Sequence, residues 1–104
     1  VTVRSMLQKA RGLVAGGWTP GLSKDSSGSI CWHGYEGLAR ICLLDALLLA
    51  AQHDDEMWEV DRLLVWAAGT EDLTNWEMAP GRRVEEVVAV FTRALQRALK
   101  LGLR

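Results

Sequence analysis

Four residue types capable of chemistry crowd into one short stretch. In "SGSICWHGYEG" (residues 27–37), Cys31, His33, Tyr35 and Glu36 lie within six positions, between glycines and beside Trp32. A thiol and an imidazole at this spacing suggest a metal site or a nucleophile–base pair. A structural zinc site needs four ligands. Only Cys42 and His53 could complete the set, and on one helix both lie many ångströms along the axis from the first pair. A cysteine–histidine dyad requires the two side chains to meet, whereas residues two apart on a helix point apart. No metal, no cofactor and no catalytic set is therefore predicted. The stretch reads as a hairpin-to-helix junction, with Cys31 a small buried thiol. His33, Glu36 and Arg40 read as one solvated helix face.

Asp45 is the more unusual residue. A helical wheel places it among Leu38, Ile41, Cys42 and Leu49, on a face that should turn inward. A carboxylate buried alone is very costly and needs a partner. Arg82 is the expected partner, with an indole N–H from Trp76 or Trp18 as a further donor. Asp45, Trp76 and Arg82 thus form the expected structural clamp on the loop before the last helix, or a ligand-binding site.

The elements that must position these residues are mostly helical. Val3, Met6, Leu7, Ala10, Leu13 and Val14 recur at helical spacing and predict a first helix over about 2–15, stopped by Gly16 and Gly17. "LSKDSSGSI" predicts a small β-hairpin turning at Asp25–Gly28. A second helix is expected from Cys31 or Trp32 to about Gln52, apolar nearly all round in its second half and so buried. A third is expected over 55–68, with Asp54, Asp55 and Glu56 at its positive dipole end. "TEDLTNWEMAPGR" reads as a loop, and Val84, Val87, Val88, Phe91, Leu95, Ala98 and Leu99 predict a last helix over 84–101. The expected fold is mainly α: one domain of four helices, with a small β-hairpin between helices 1 and 2.

The chain of 104 residues has a net charge of −1, unevenly spread. Residues 1–24 carry +4, residues 54–81 carry −7 and residues 82–104 carry +4. The acidic middle is expected to lie against the basic ends, within the fold or in an oligomer. Nucleic acid would require the basic stretches to merge into one patch with no offsetting acidic face, so it is not the expected partner. The basic stripe Arg93, Arg97 and Lys100 reads as a solvated face. No apolar run approaches a membrane span, and the N-terminal stretch lacks a signal-peptide core, which makes the cytoplasm the expected compartment. Cys31 and Cys42, eleven residues apart, are too distant on one helix to form a disulfide, so free thiols are expected.

Three islands in order, Gly17-Trp18, Cys31-Trp32-His33-Gly34 and "WEMAPGRRVEEV", resemble a family of short proteins of unknown function from actinobacteria and their phages. The second is similar to that family's Cys-x-x-Gly at the start of its second helix. The third is similar to a stretch that usually reads Trp-Asn-Asp-x-Pro-Gly-Arg-Thr. Trp76, Pro80, Gly81 and Arg82 match it, while Glu77, Met78 and Arg83 depart. Asn and Asp are its most chemically suggestive positions, so their absence argues against a shared active site. The resemblance implies a bacterial or bacteriophage setting, not an activity.

Five tryptophans are many for one small core. Trp58, with Arg62 and Val65, falls opposite Val60, Leu64 and Ala67 on its helix. Leu43, Leu47 and Ala50 likewise fall opposite the Leu38–Leu49 stripe. Trp and Arg are enriched at interface hot spots. The expectation is a non-enzymatic interaction protein, a homodimer or a partner of a host protein, using Trp58, Arg62, Val65, Leu43 and Leu47. The competing expectation is a binder of a nucleotide-like small molecule, stacked on tryptophan beside Arg82 and Asp45.

Overall fold

The computed structural model describes residues 2–21, 23–24, 40–51 and 57–103. Among them, five helices run in the order α1 (Val3–Gly16), α2 (Leu43–Ala51), α3 (Met57–Ala68), α4 (Leu73–Glu77) and α5 (Val84–Lys100). Helix α1 starts where Thr2 and Ser5 cap one another. The Ser5 N–H donates to Thr2 Oγ1 at 3.1 Å and the Thr2 N–H to Ser5 Oγ at 2.9 Å, which satisfies N–H groups that have no partner inside the helix. It turns Val3, Met6, Leu7, Ala10 and Val14 into the core. Helix α1 packs along α5 and against α2, and α3 completes the bundle on α5. Phe91, Met6, Leu7 and Leu64 are its largest fully buried apolar side chains. Each contributes about 1.5–3 kcal/mol relative to exposure.

The expected hairpin is not supported: the described residues contain two isolated bridges and no strand, and the Asp25–Gly28 turn lies outside them. Lys24 and Arg40 exchange backbone hydrogen bonds of 2.9 and 3.0 Å. Ile41 donates to the Gly17 carbonyl at 2.7 Å and accepts from the Thr19 N–H at 3.1 Å. These pairings also correct the second helix: Arg40 and Ile41 form bridges, and α2 starts at Leu43. Residues 25–39, and with them Cys31, Trp32, His33 and Glu36, lie outside the described residues, as do 52–56 with His53 and the expected acidic start of α3.

Helix α4 is a fifth helix inside the expected loop. Asp72 caps it, its Oδ1 accepting from the Asn75 N–H at 3.1 Å and its Oδ2 from Asn75 Nδ2 at 2.8 Å. Gly81, at φ +80°, supplies the left-handed turn into α5. Helix α5 runs from Val84 to Lys100, close to the expected span, and buries Val87, Val90, Phe91, Ala94 and Ala98.

The expected neutralisation of basic ends by an acidic middle takes another form. The two basic helices, α1 and α5, pack against each other. Among the described residues the ion pair is Arg82–Glu86, at 2.8 Å and within one helical turn. No helix among the described residues is long and apolar enough to cross a membrane.

Candidate functional site

Two buried carboxylates, Glu77 and Asp45, organise the polar interior. Short helix α4 delivers Glu77, only 3% exposed, to the start of α2. Its Oε2 accepts from the Leu43 N–H at 2.6 Å and from Trp18 Nε1 at 2.9 Å. Its Oε1 accepts from the Gly21 N–H at 3.3 Å. Leu43 is the first residue of α2, whose own sequence supplies no Ser, Thr, Asp or Asn cap there. A carboxylate from elsewhere in the chain satisfies that N–H and sits at the positive end of the helix dipole. Gly21 reaches it through a left-handed backbone, φ +81°, with Met78 Sδ 3.4 Å from where a Cβ would stand.

Asp45, in the first turn of α2, is fully buried as expected. The Ser23 hydroxyl donates to its Oδ2, and Ser23 Oγ in turn accepts from the Cys42 N–H at 3.0 Å. The 17–24 segment is therefore tied to α2 twice, at Glu77 and at Asp45. Among the described residues no buried side-chain nitrogen or oxygen lacks a partner. A serine hydroxyl on a carboxylate resembles part of a nucleophilic centre, but Ser23 and Asp45 are both fully buried. No substrate reaches the Ser23 oxygen in this arrangement. No cluster of three metal-ligand side chains occurs among the described residues.

The expected clamp is thus divided. Arg82, in the turn between α4 and α5, bridges the two, Nε donating to the Trp76 carbonyl at 2.9 Å and Nη1 to Glu86 Oε2 at 2.8 Å. Its guanidinium lies 4.0 Å from the centre of the Trp76 ring. Trp76 and Arg82 are brought together, whereas Asp45 takes Ser23 and the Trp18 indole takes Glu77. The Arg83 N–H, with the Arg82 guanidinium, holds the Glu86 carboxyl below the usual range. Glu77 is the residue that sequence reasoning passed over, having counted it only as a departure from a motif. Its signal was indirect: among the described residues the Cys42 thiol before α2 accepts only the Asp45 N–H, so the N–H of Leu43 needs an acceptor from a distant segment.

Cys42, the cysteine at the start of α2, is buried and free. Desolvation pushes its thiol up, against the smaller opposing effect of its hydrogen bond with Ser23. The thiolate is the reactive form. In a Cys31→Ser variant, Cys42 should therefore resist a neutral thiol reagent in native buffer and react fully in denaturant, as followed by colorimetric titration. Rapid native labelling would contradict its burial.

The surface tells a different story. Trp58 is 59% exposed and Trp66 is 50% exposed. With 3.6 residues per turn, Trp58, Arg62, Val65 and Trp66 occupy an arc of about 100° on α3. Arg62 lies 5.7 Å from the Trp58 ring centre, and Arg93 and Arg97 of α5 lie 5.9 and 5.1 Å from that of Trp66. Val65 is half-buried rather than exposed. Leu43 and Leu47, expected on a docking face, are core residues at 4% and 3% exposure. Helix α2 is central enough to bury them together with Asp45, and Leu44 and Leu48 show instead.

These features define a small helical domain whose buried polar groups hold its own loops and whose unused binding chemistry is a tryptophan–arginine surface. The chain belongs to a family of unknown function (DUF6197), matched over residues 1–97. No curated protein and no solved structure matches it.

Proposed function

We propose that the protein is a non-enzymatic protein–protein interaction module that self-associates through the α3 surface around Trp58 and acts on a host component. In keeping with the resemblance of its motifs, the proposal places it in the cytoplasm of an actinobacterium or of a cell infected by its phage. The observation that carries this reading is the exposed Trp58 ring with the Arg62 guanidinium beside it. Exposed aromatic and arginine side chains of this kind are the usual anchors of an interface. Glu59 and Asp61 flank Arg62 on the same helix, so a two-fold contact can set Arg62 of one copy against a carboxylate of the other.

The test is the mass in solution. Wild type should scatter light as at least two copies of the 11.5 kDa chain. Trp58→Glu should become a monomer that still unfolds cooperatively, because position 58 lies outside the core, and its melting temperature should match that of wild type at high dilution. Trp58 is a cleaner probe than Val65, whose half-buried side chain contributes to the fold. Monomeric wild type, or an unchanged mass in Trp58→Glu, would remove self-association through this surface. The nucleotide-like alternative has less support: Asp45 is buried beside Ser23, and Arg82 is already held by Trp76 and Glu86.

A further inference from the structure

The second half of α5 is unlike the rest of the surface. Beyond Glu86 the chain has no acidic residue, and Arg93, Arg97 and Lys100 are all exposed. Arg93 and Arg97 hold their guanidiniums over Trp66, itself half exposed. Among the described residues neither arginine makes a hydrogen bond or an ion pair, which leaves the N–H donors of both planar forks open to a partner. Arg82 is the contrast: it also stacks on an indole, but its donors are already taken by Trp76 and Glu86. Beside Arg93 lies an open groove of about 590 Å³ between the end of α1 and α5, its floor made by Ala15, Val84, Val88 and Ala89. Glu85 stands at one end and Thr92, Arg93 and Gln96 toward the other, so that an occupant's carboxylates must lie at the Arg93 end. An apolar groove, a cationic ridge and an aromatic shelf thus lie side by side.

Charge selects the occupant. A second copy related by a two-fold axis would set Arg93, Arg97 and Lys100 against their own counterparts, and like charges facing each other across an interface cost several kcal/mol. A nucleic acid would stack a base on the indole, but two guanidiniums already lie over that ring, and a phosphodiester chain has no use for the apolar groove. We infer that this face docks an acidic amphipathic protein segment, its apolar side chains in the groove and its carboxylates on the free donors of Arg93 and Arg97. Carboxylate and guanidinium pair through two parallel hydrogen bonds, which gives the contact orientation as well as attraction. Trp58 lies about 12 Å away along α3. The rings of Trp58 and Trp66 stand on the same arc of α3, so the two sites are told apart by the variants that abolish each.

The probe is a labelled fifteen-residue helical peptide with leucine on one face and glutamate on the other, titrated into the full chain by fluorescence anisotropy. Saturable binding is expected, weakening as salt is raised. Arg93→Glu with Arg97→Glu should weaken it at least about tenfold. Ala89→Trp, which fills the groove from an exposed position, should weaken it too. Both variants should keep the wild-type melting temperature and the wild-type mass, so that loss of peptide binding is distinct from loss of self-association. No binding of this peptide, or equal binding of its lysine-for-glutamate counterpart, would overturn the inference. So would an oligothymidylate of matched charge that binds as tightly and is lost in the same arginine variant, since that would mark a nucleic-acid face.

Discussion

Glu77→Ala should lower stability by about 3 kcal/mol or more, measured as the shift in urea midpoint at unchanged slope. The carboxylate is buried and accepts three N–H groups, from Trp18, Gly21 and Leu43. Alanine leaves all three without their acceptor, and a buried donor left unsatisfied costs about 1–3 kcal/mol. The expected sum exceeds the loss of one side chain's contacts because three segments separate at once: the 17–21 turn, the start of α2 and α4. Glu77→Gln sharpens the reading. Glutamine has the same shape, but its NH₂ group must replace one acceptor with a donor facing other donors, so it should recover only part of the loss. Amide exchange gives a local readout, since protection at Leu43 should fall more than protection in α5. If Glu77→Ala unfolds at the wild-type midpoint, the carboxylate does not hold these segments together.

What the sequence makes legible is what repeats. Helices α1, α3 and α5 carry apolar residues at helical spacing on one side, and their spans and buried faces follow from that alone. Helix α2 carries apolar residues on nearly every side, so periodicity does not decide which of them face out. Leu43 and Leu47 point into the core and Leu44 and Leu48 outward. The tethers that accompany this orientation, Leu43 to Glu77 and Asp45 to Ser23, come from residues 34 and 22 positions away in sequence. Pairings over such separations leave no periodic trace. Helix α4 is too short for a stripe, and only its cap at Asp72 announces it. Asp45 was legible as a buried carboxylate because an acid stood on an apolar face. Its partner was not, because a serine in a turn-rich segment is common and says nothing by itself.

The second large effect concerns that pair. Asp45→Ala should destabilise the fold by about 1–3 kcal/mol, because it leaves the buried Ser23 hydroxyl without its acceptor. Ser23→Ala should cost a similar amount, since Ser23 also accepts the Cys42 N–H. If the two act as one unit, the double variant should cost less than the sum of the singles by about 1 kcal/mol, the usual signature of groups in one network. A cycle of Asp45→Ala with Arg82→Ala should instead add within about 0.5 kcal/mol. Arg82 bonds Trp76 and Glu86, and its loss should appear at the α4–α5 turn rather than in α2. The two cycles separate a tether between the 17–24 segment and α2 from a clamp on the 73–82 segment. Additive Ser23 and Asp45, with strongly coupled Arg82 and Asp45, would restore the clamp that the wheel position of Asp45 first suggests. Coupling confined to Ser23 would assign the buried aspartate to holding the turn-rich segment against α2.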